Sequence, residues 1–333
     1  MKKIGFLSFG HYQPVQGSVA RTAGDALTQM IELAEGAEEL GIDGAYARVH
    51  HFAPQFASPF PLLAAMGART KTIELGTAVI DMRYENPLYM AEEAAAADLI
   101  SGGRLQLGMS RGSPEAALNG SAAFGYVPND GETDADMART HTSIFRAAIA
   151  GHPLVQANPQ MSRAGVLPIE PQSPGLGQRI WWGSGTRATA VWTAEQGMNL
   201  MSSTLLTEDT GVSFDELQAE QIQLYRDAWT QDWQPRVSVS RSIIPLTSDE
   251  DRAYFGRERS SEDQVGYLDG GLARFGKSYV GEPDVIAEQL AADAAVQAAD
   301  TVLVTVPNQL GVAYCTTLLE NIVKHVAPAA GWR

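Results

Sequence analysis

The chain has one cysteine, Cys315. That excludes an internal disulfide and any zinc or iron–sulfur site built on cysteines. Basic residues are also scarce: 24 Lys and Arg stand against 39 Asp and Glu, a formal net charge of −15. Nucleic acid and anionic membrane surfaces both call for the opposite sign, so neither is expected as a partner. No apolar run reaches the about 18 residues a spanning helix needs. The opening MKKIGFLSFG is too short and too broken by glycine for a signal peptide, which makes a cytoplasmic location the expectation. No Walker loop is present, nor any H-x-x-x-H or C-x-x-C spacing, and no metal is expected.

What is present is a regular alternation of short apolar runs and helical patterns. With 44% apolar and 19% charged residues among 333, the chain is globular and long enough for one large α/β domain or two ordinary ones. The clearest stretch is Ile73–Gly112. Ile73–Ile80 is a β-branched apolar run. Pro87 opens a helix carrying Leu88, Met90, Ala91, Ala94, Ala95, Leu99 and Ile100, and Ser101-Gly102-Gly103 closes it. Arg104–Met109 then alternates Leu105, Leu107 and Met109 with polar or small residues up to Ser110-Arg111-Gly112. Strand, helix and strand of this length form a βαβ unit with parallel strands and a right-handed crossover. In such folds the chemistry gathers where strands end, here at Ala78–Asp81 and Ser110-Arg111.

The same alternation runs through the chain. Strands are expected at Ile4–Phe9, Asp43–Val49, Ile180–Trp182, Asn199–Ser203, Arg236–Ile244 and Thr301–Val306. Helices are expected at Ala23–Leu40, Leu62–Arg69, Asp134–Ala150, Phe214–Trp229, Pro283–Ala295 and Leu310–Val326, with another after Gly183-Ser184-Gly185-Thr186. About eight strands, each followed by a helix, with no break in composition, fit an α/β fold of the closed (β/α)8 TIM barrel type in a single domain, 1–333. The extra length lies in Ser113–Thr133 and Asp249–Ser278. Both follow strands, so both are expected as insertions at the C-terminal face.

Four constellations carry candidate chemistry. In His50-His51, neighbours on a strand point to opposite sides, so one histidine faces the barrel mouth and the other packs outward. The inward one is either a general acid or base or a hydrogen-bonded loop histidine. Arg111, beside Ser110 at a strand end, suits a phosphate or anionic ring edge, or pairs with a carboxylate at the surface. In WWGSGTRATAVWTAE, from Trp181 to Glu195, a strand, a Gly-Ser-Gly-Thr turn and a helix place backbone N–H groups where a phosphate binds. The acidic residue of a dinucleotide fingerprint is missing, since the next strand end reads Met201-Ser202-Ser203. A barrel phosphate grip fits better, and a plain capped turn is the alternative. Small residues at Gly76-Thr77-Ala78-Val79 let a flat ligand approach the backbone.

With these residues in view, the chain resembles the bacterial luciferase-like, flavin-dependent monooxygenase family nearly end to end. The resemblance is carried by His50-His51-Phe52, by Leu75-Gly76-Thr77-Ala78-Val79 and by the run from Asp98 through Ser101-Gly102-Gly103-Arg104 to Gly112. Gly281-Glu282-Pro283 adds to it. It implies a barrel binding reduced FMN at its C-terminal face, with His50 assisting oxygen chemistry and Ala78–Val79 carrying a non-proline cis peptide under the flavin ring. It further implies Ser110 and Arg111 beside the ring and phosphate, Gly183, Ser184, Gly185, Thr186 and Thr189 in the phosphate grip, and Ser203 as a later flavin contact. Val49 stands where an acidic residue is common and Ser110 where luciferase has a reactive cysteine, so light emission is not implied.

The function so implied is a monooxygenase that takes reduced FMN from a separate NAD(P)H:flavin reductase. With O2 it would oxidise a small, apolar organic substrate through a C4a-(hydro)peroxyflavin, the two insertions excluding water. A homodimer is implied by the resemblance alone. Two other readings keep the barrel: a hydride-transfer oxidoreductase using the deazaflavin F420, and a flavin-binding barrel without turnover.

Overall fold

A computed structural model describes residues 1–112, 117–162, 165–208, 211–257, 262–268 and 271–333, with backbone alone at 265–268 and 271–273. Eight parallel strands close into a barrel: β1 (Lys3–Ser8), β2 (Gly44–Ala47), β3 (Glu74–Asp81), β4 (Leu105–Ser110), β5 (Ile180–Ser184), β6 (Asn199–Ser202), β7 (Val237–Arg241) and β8 (Thr301–Val306). Each pairs with its neighbours in chain order, and β8 closes on β1 with Lys3 opposite Thr301 and Ser8 opposite Val306. The helices around them are α1 (Ala23–Glu39), α2 (Pro59–Arg69), α3 (Pro87–Ser101), α4 (Asp134–Ile149), α5 (Arg187–Glu195), α6 (Phe214–Asp227), α7 (Pro283–Ala292) and α8 (Gly311–Asn321). This is the (β/α)8 TIM barrel.

Local chemistry starts and stops these helices. Capping boxes open α1 at Thr22 and Asp25, α4 at Thr133 and Asp136, and α6 at Ser213 and Glu216. In each, a hydroxyl and a carboxylate reciprocally satisfy N–H groups left over at a helix start. Asn86 caps α3 through the amides of Leu88 and Tyr89, and Gly102 ends it in the left-handed region at φ 73. On α3, Met90, Ala91, Ala94 and Ala95 are buried against the barrel, whereas Leu99 and Ile100 face outward.

Inside the barrel, Leu7, Tyr46, Trp181, Met201 and Leu303 fill one layer. Trp181 donates its indole N–H to Gln106 Oε1 (2.8 Å), so the layer holds no orphaned donor there. Below it, Glu74 receives both Nη groups of Arg236 at 3.0 and 2.9 Å, and the guanidinium lies 5.0 Å from the Trp181 ring. The N-terminal end is thereby plugged, and a cavity lies above the layer, at the C-terminal face.

Several boundaries differ from the sequence reading. Arg236–Ile244 is two elements. β7 ends at Arg241, and Ile243–Pro245 leaves the barrel to pair with Tyr279–Gly281. Pro283–Ala295 breaks at Asp293, which ends α7 and caps the short helix Ala294–Ala298. In the second insertion, Asp249–Phe255 is helical and Gln264–Leu268 pairs antiparallel with Gly271–Phe275. Parts of both insertions, at 113–116 and at 258–261 and 269–270, lie outside the described residues. Among the described residues no helix is long and apolar enough to cross a membrane.

Candidate active site

A cavity of about 850 Å³ opens at the C-terminal ends of the strands. Its floor is the top of the interior layer, Leu7, Met201 and Leu303, joined by Ala78 and Val79. On β3 the register with β4 shifts between Thr77 and Ile80, and the Ala78–Val79 peptide is cis. Gly183 lies close by: a Cβ there would stand 3.3 Å from both Ser110 Cβ and Val79 Cγ1. The bare backbone at Gly183 thus keeps this part of the floor flat.

β2 ends at Ala47, short of the expected Val49, so the two histidines lie in the loop that follows it, and there they part. His50 lines the cavity, and its backbone N–H is held by the Phe56 carbonyl at 2.8 Å. Burial, followed by the positive charges of Arg48, His51 and His11, pushes the His50 imidazole down to about 4. It is therefore neutral near pH 7 and able to accept a proton. His51 turns outward and stacks on Tyr84 with centroids 4.2 Å apart, and Phe124 meets it edge-on at 5.2 Å. Phe124 follows the short helix Gly120–Ala123 of the first insertion, so His51 anchors that insertion beside the mouth.

The β5–α5 turn forms one wall. Gly183, Gly185, Thr186 and Thr189 line the cavity. A Cβ at Gly185 would stand 2.8 Å from the Leu205 carbonyl oxygen, so the close approach of these two backbones requires glycine. The Thr186 side chain caps α5 by accepting from Thr189 N at 3.2 Å, and its hydroxyl donates to Thr189 Oγ1 at 2.9 Å. Ser184 does not line the cavity. Its buried hydroxyl donates to the Thr186 carbonyl at 3.0 Å and shapes the turn from behind. Nor is the first turn of α5 wholly open, since Arg187 N donates to Glu208 Oε2 at 3.0 Å.

Ser110, Arg111 and Ser203 also line the cavity. The Ser110 hydroxyl accepts from Gly112 N at 2.9 Å. Gly112 has φ 85, and a Cβ there would lie 2.0 Å from Asp81 Oδ2, so the turn after Arg111 packs directly on Asp81. Asp81 is itself paired with Arg83, Nη2 to Oδ2 at 2.6 Å. Sequence reasoning missed Arg139 and Phe275. Arg139, on α4, lies over the Trp192 ring at 4.7 Å and lines the cavity. Phe275 reaches the cavity because its strand pairs with Leu205–Leu206. No local signal identifies either. Arg48 was missed too, although it stands two residues before His50 on the same face of the chain.

A phosphorylated flavin fits this donor set. At the β4–β5 side, Arg111 and Arg139 make no ion pair among the described residues, and the Thr186 and Thr189 hydroxyls lie on the same wall. Two arginines and two hydroxyls at a helix start suit a dianionic phosphate, and the glycine-bare floor at Gly183 suits a flat ring.

Several known proteins are similar to this chain in sequence or in fold. The y4wF protein of Sinorhizobium fredii is 29% identical over 60% of this chain and 56% of its own length. The oxygenase component of the flavin-dependent trigonelline monooxygenase of Acinetobacter baylyi is 34% identical over 32% of this chain and 30% of its own. An F420-dependent glucose-6-phosphate dehydrogenase of Gordonia bronchialis is 36% identical over 28% and 29%. These matches thus span at most 56% of the relatives' lengths. Among solved structures, the monooxygenase RslO1 of Streptomyces bottropensis superposes with a TM-score of 0.73 at 21% identity, over 98% of this chain and 99% of that one. The FMN-bound oxygenating constituent of 3,6-diketocamphane monooxygenase of Pseudomonas putida does so with 0.68 at 18%, over 99% and 98%. Both share the fold. The family model for luciferase-like monooxygenases matches residues 7–255, and the chain belongs to that family as an enzyme of the luciferase-like class.

Proposed function

We propose that this chain, one barrel domain of 333 residues, is the oxygenase of a two-component pair. It would use reduced FMN from a separate NAD(P)H:flavin reductase, and O2, to oxidise a small organic substrate. The observation that carries the reading is the division of the cavity into a cationic, hydroxyl-bearing end at Arg111, Arg139, Thr186 and Thr189 and a flat apolar floor at Ala78, Val79 and Gly183. The first end holds a phosphate and the second supports a ring. Reduced FMN, when bound, supplies the electrons that activate O2.

The remaining steps belong to the chain's own residues. Ser110 and Ser203 offer hydroxyls along the flavin's path from phosphate to ring. His50, held neutral, accepts a proton at a ring nitrogen facing the cavity and returns it later. Phe275 and the α4 residues Ala135 and Arg139 narrow the mouth and exclude water. At about 850 Å³ the cavity lies high in the range of about 300–1,000 Å³ typical of ligand sites, leaving room for a second small molecule. A cytoplasmic homodimer belongs to the same reading, and sedimentation velocity would show a species of twice the chain's mass.

The test is an anaerobic titration with reduced FMN, then exposure to O2 with a panel of small organic compounds. Saturable binding and O2-dependent oxidation of a panel member are expected. A second reading, hydride transfer with F420, is favoured by the likeness to the Gordonia bronchialis dehydrogenase. Turnover with F420 in the absence of O2, and none with reduced FMN, would replace the first reading by the second.

A further inference from the structure

Arg48 follows the last residue of β2 and lines the same cavity as His50. Its guanidinium lies 4.6 Å from the centre of the Phe9 ring, and His11 stacks on that ring at 5.6 Å. The side chain is half-buried and makes no hydrogen bond or ion pair among the described residues. Arg146, on α4 away from this cavity, is likewise desolvated without an acceptor among the described residues, but three other arginines that this fold withdraws from water are met by acceptors. Arg236 lies on Glu74, Arg241 on Asp293 and Gln218, and Arg104 on the carbonyls of Gly67, Thr70 and Ile73.

A desolvated guanidinium has five N–H donors, and an aromatic face accepts none of them well. Leaving such a charge without an acceptor is costly. In a chain with 39 acidic residues, a carboxylate partner is the commonest thing the protein has to offer, yet none is placed here. A flavin phosphate would not supply it on the proposed reading, because that charge is met by Arg111 and Arg139 on the β4–β5 side. Arg48 stands at the end of β2, three strands round the ring from β5.

We propose that Arg48 holds a carboxylate of the second substrate, which is therefore a small organic acid with its apolar part against Leu7, Met201 and Leu303. The fork of the guanidinium matches a carboxylate in two parallel hydrogen bonds. Arg48 is then a specificity-determining residue, and the expectation of a wholly apolar substrate gives way. The inference rests on the flavin reading, which places the phosphate on the other wall.

The test is calorimetric titration of the FMN-loaded protein with matched acids and amides: benzoate and benzamide, phenylacetate and phenylacetamide, hexanoate and hexanamide. In at least one pair the acid is expected to bind about tenfold tighter or more, as a charge-assisted bond provides. Arg48→Gln should abolish that preference and Arg48→Lys should keep part of it, with FMN affinity unchanged in both. The proposal is overturned if no acid outbinds its amide or if the preference survives in Arg48→Gln. Loss of FMN affinity in Arg48→Gln with the acid preference intact also overturns it, since Arg48 would then serve the flavin. Should the wild-type protein take up no FMN, the flavin reading fails by itself, and the acid–amide comparison on the unloaded protein still decides the role of Arg48.

Discussion

His50 has a strained electrostatic position: Arg48, His51 and His11 all add positive charge around a ring already withdrawn from water. Its folded pKa of about 4 lies below the usual histidine value of 6.5. Between those two values the unfolded chain binds the proton and the folded chain does not. This histidine therefore makes the protein less stable as pH falls through that window and has no effect above it. Nuclear magnetic resonance titration should place the His50 midpoint well below 6.5, and Arg48→Gln should move it upward. A midpoint at 6.5 would show that burial and the Arg48 charge do not act on this ring. His50→Ala should retain FMN binding and lower turnover by about 10²–10⁴-fold, the range for a lost general acid or base. The pair His50-His51 was legible in the sequence, but that His50 is the one facing the cavity came from the family resemblance. Arg48 was equally legible by its two-residue spacing, but only the absence of a partner gives it meaning, and partners are a property of the folded chain.

At the scale of one element, the start of α5 does two tasks. Thr186 caps the helix through Thr189 N and presents its hydroxyl to the cavity. Thr186→Ala should cost about 1 kcal/mol in chemical denaturation, the usual value of a cap, and should also weaken FMN binding in a fluorescence titration. Thr186→Ser should restore both. Loss of stability with FMN affinity untouched would leave the turn a cap and nothing more. The strand–turn–helix was readable from Gly-Ser-Gly-Thr, since turn and cap chemistry are local. The strand Gly271–Phe275 was not readable. It pairs locally with Gln264–Leu268, but its place at the cavity depends on Arg274 and Phe275 pairing with Leu206 and Leu205, dozens of residues away, and nothing in its own composition names that partner.

At the scale of the molecule, a buried network ties β7 to the segment after α7. Arg241 donates to Asp293 at 2.7 and 3.0 Å and to Gln218 at 2.9 Å, and the Tyr279 hydroxyl donates to Asp293 at 2.5 Å. Arg241 and Asp293 are 2% and 1% exposed, so neither charge has water to fall back on. Asp293→Asn should lower unfolding free energy by about 3–5 kcal/mol, the cost of leaving one buried charge uncompensated. FMN affinity of the folded fraction should not change, because the network lies outside the cavity lining. A loss of under 1 kcal/mol would show that Arg241 finds another acceptor.

The sequence by itself determined the order of strands and helices, the caps and the barrel. All of these follow from periodicity, turn chemistry and strand alternation within a few dozen residues. The tertiary structure alone decided that Arg139 on α4 and Phe275 on a distant strand share a cavity with His50 and that Ser184 stands behind the turn it helps form. It alone decided that Arg48 is half-buried without a counter-charge among the described residues. The physical reason is the same in each case: burial, pairing and repulsion depend on which atoms meet across long stretches of chain, and no local pattern encodes those meetings.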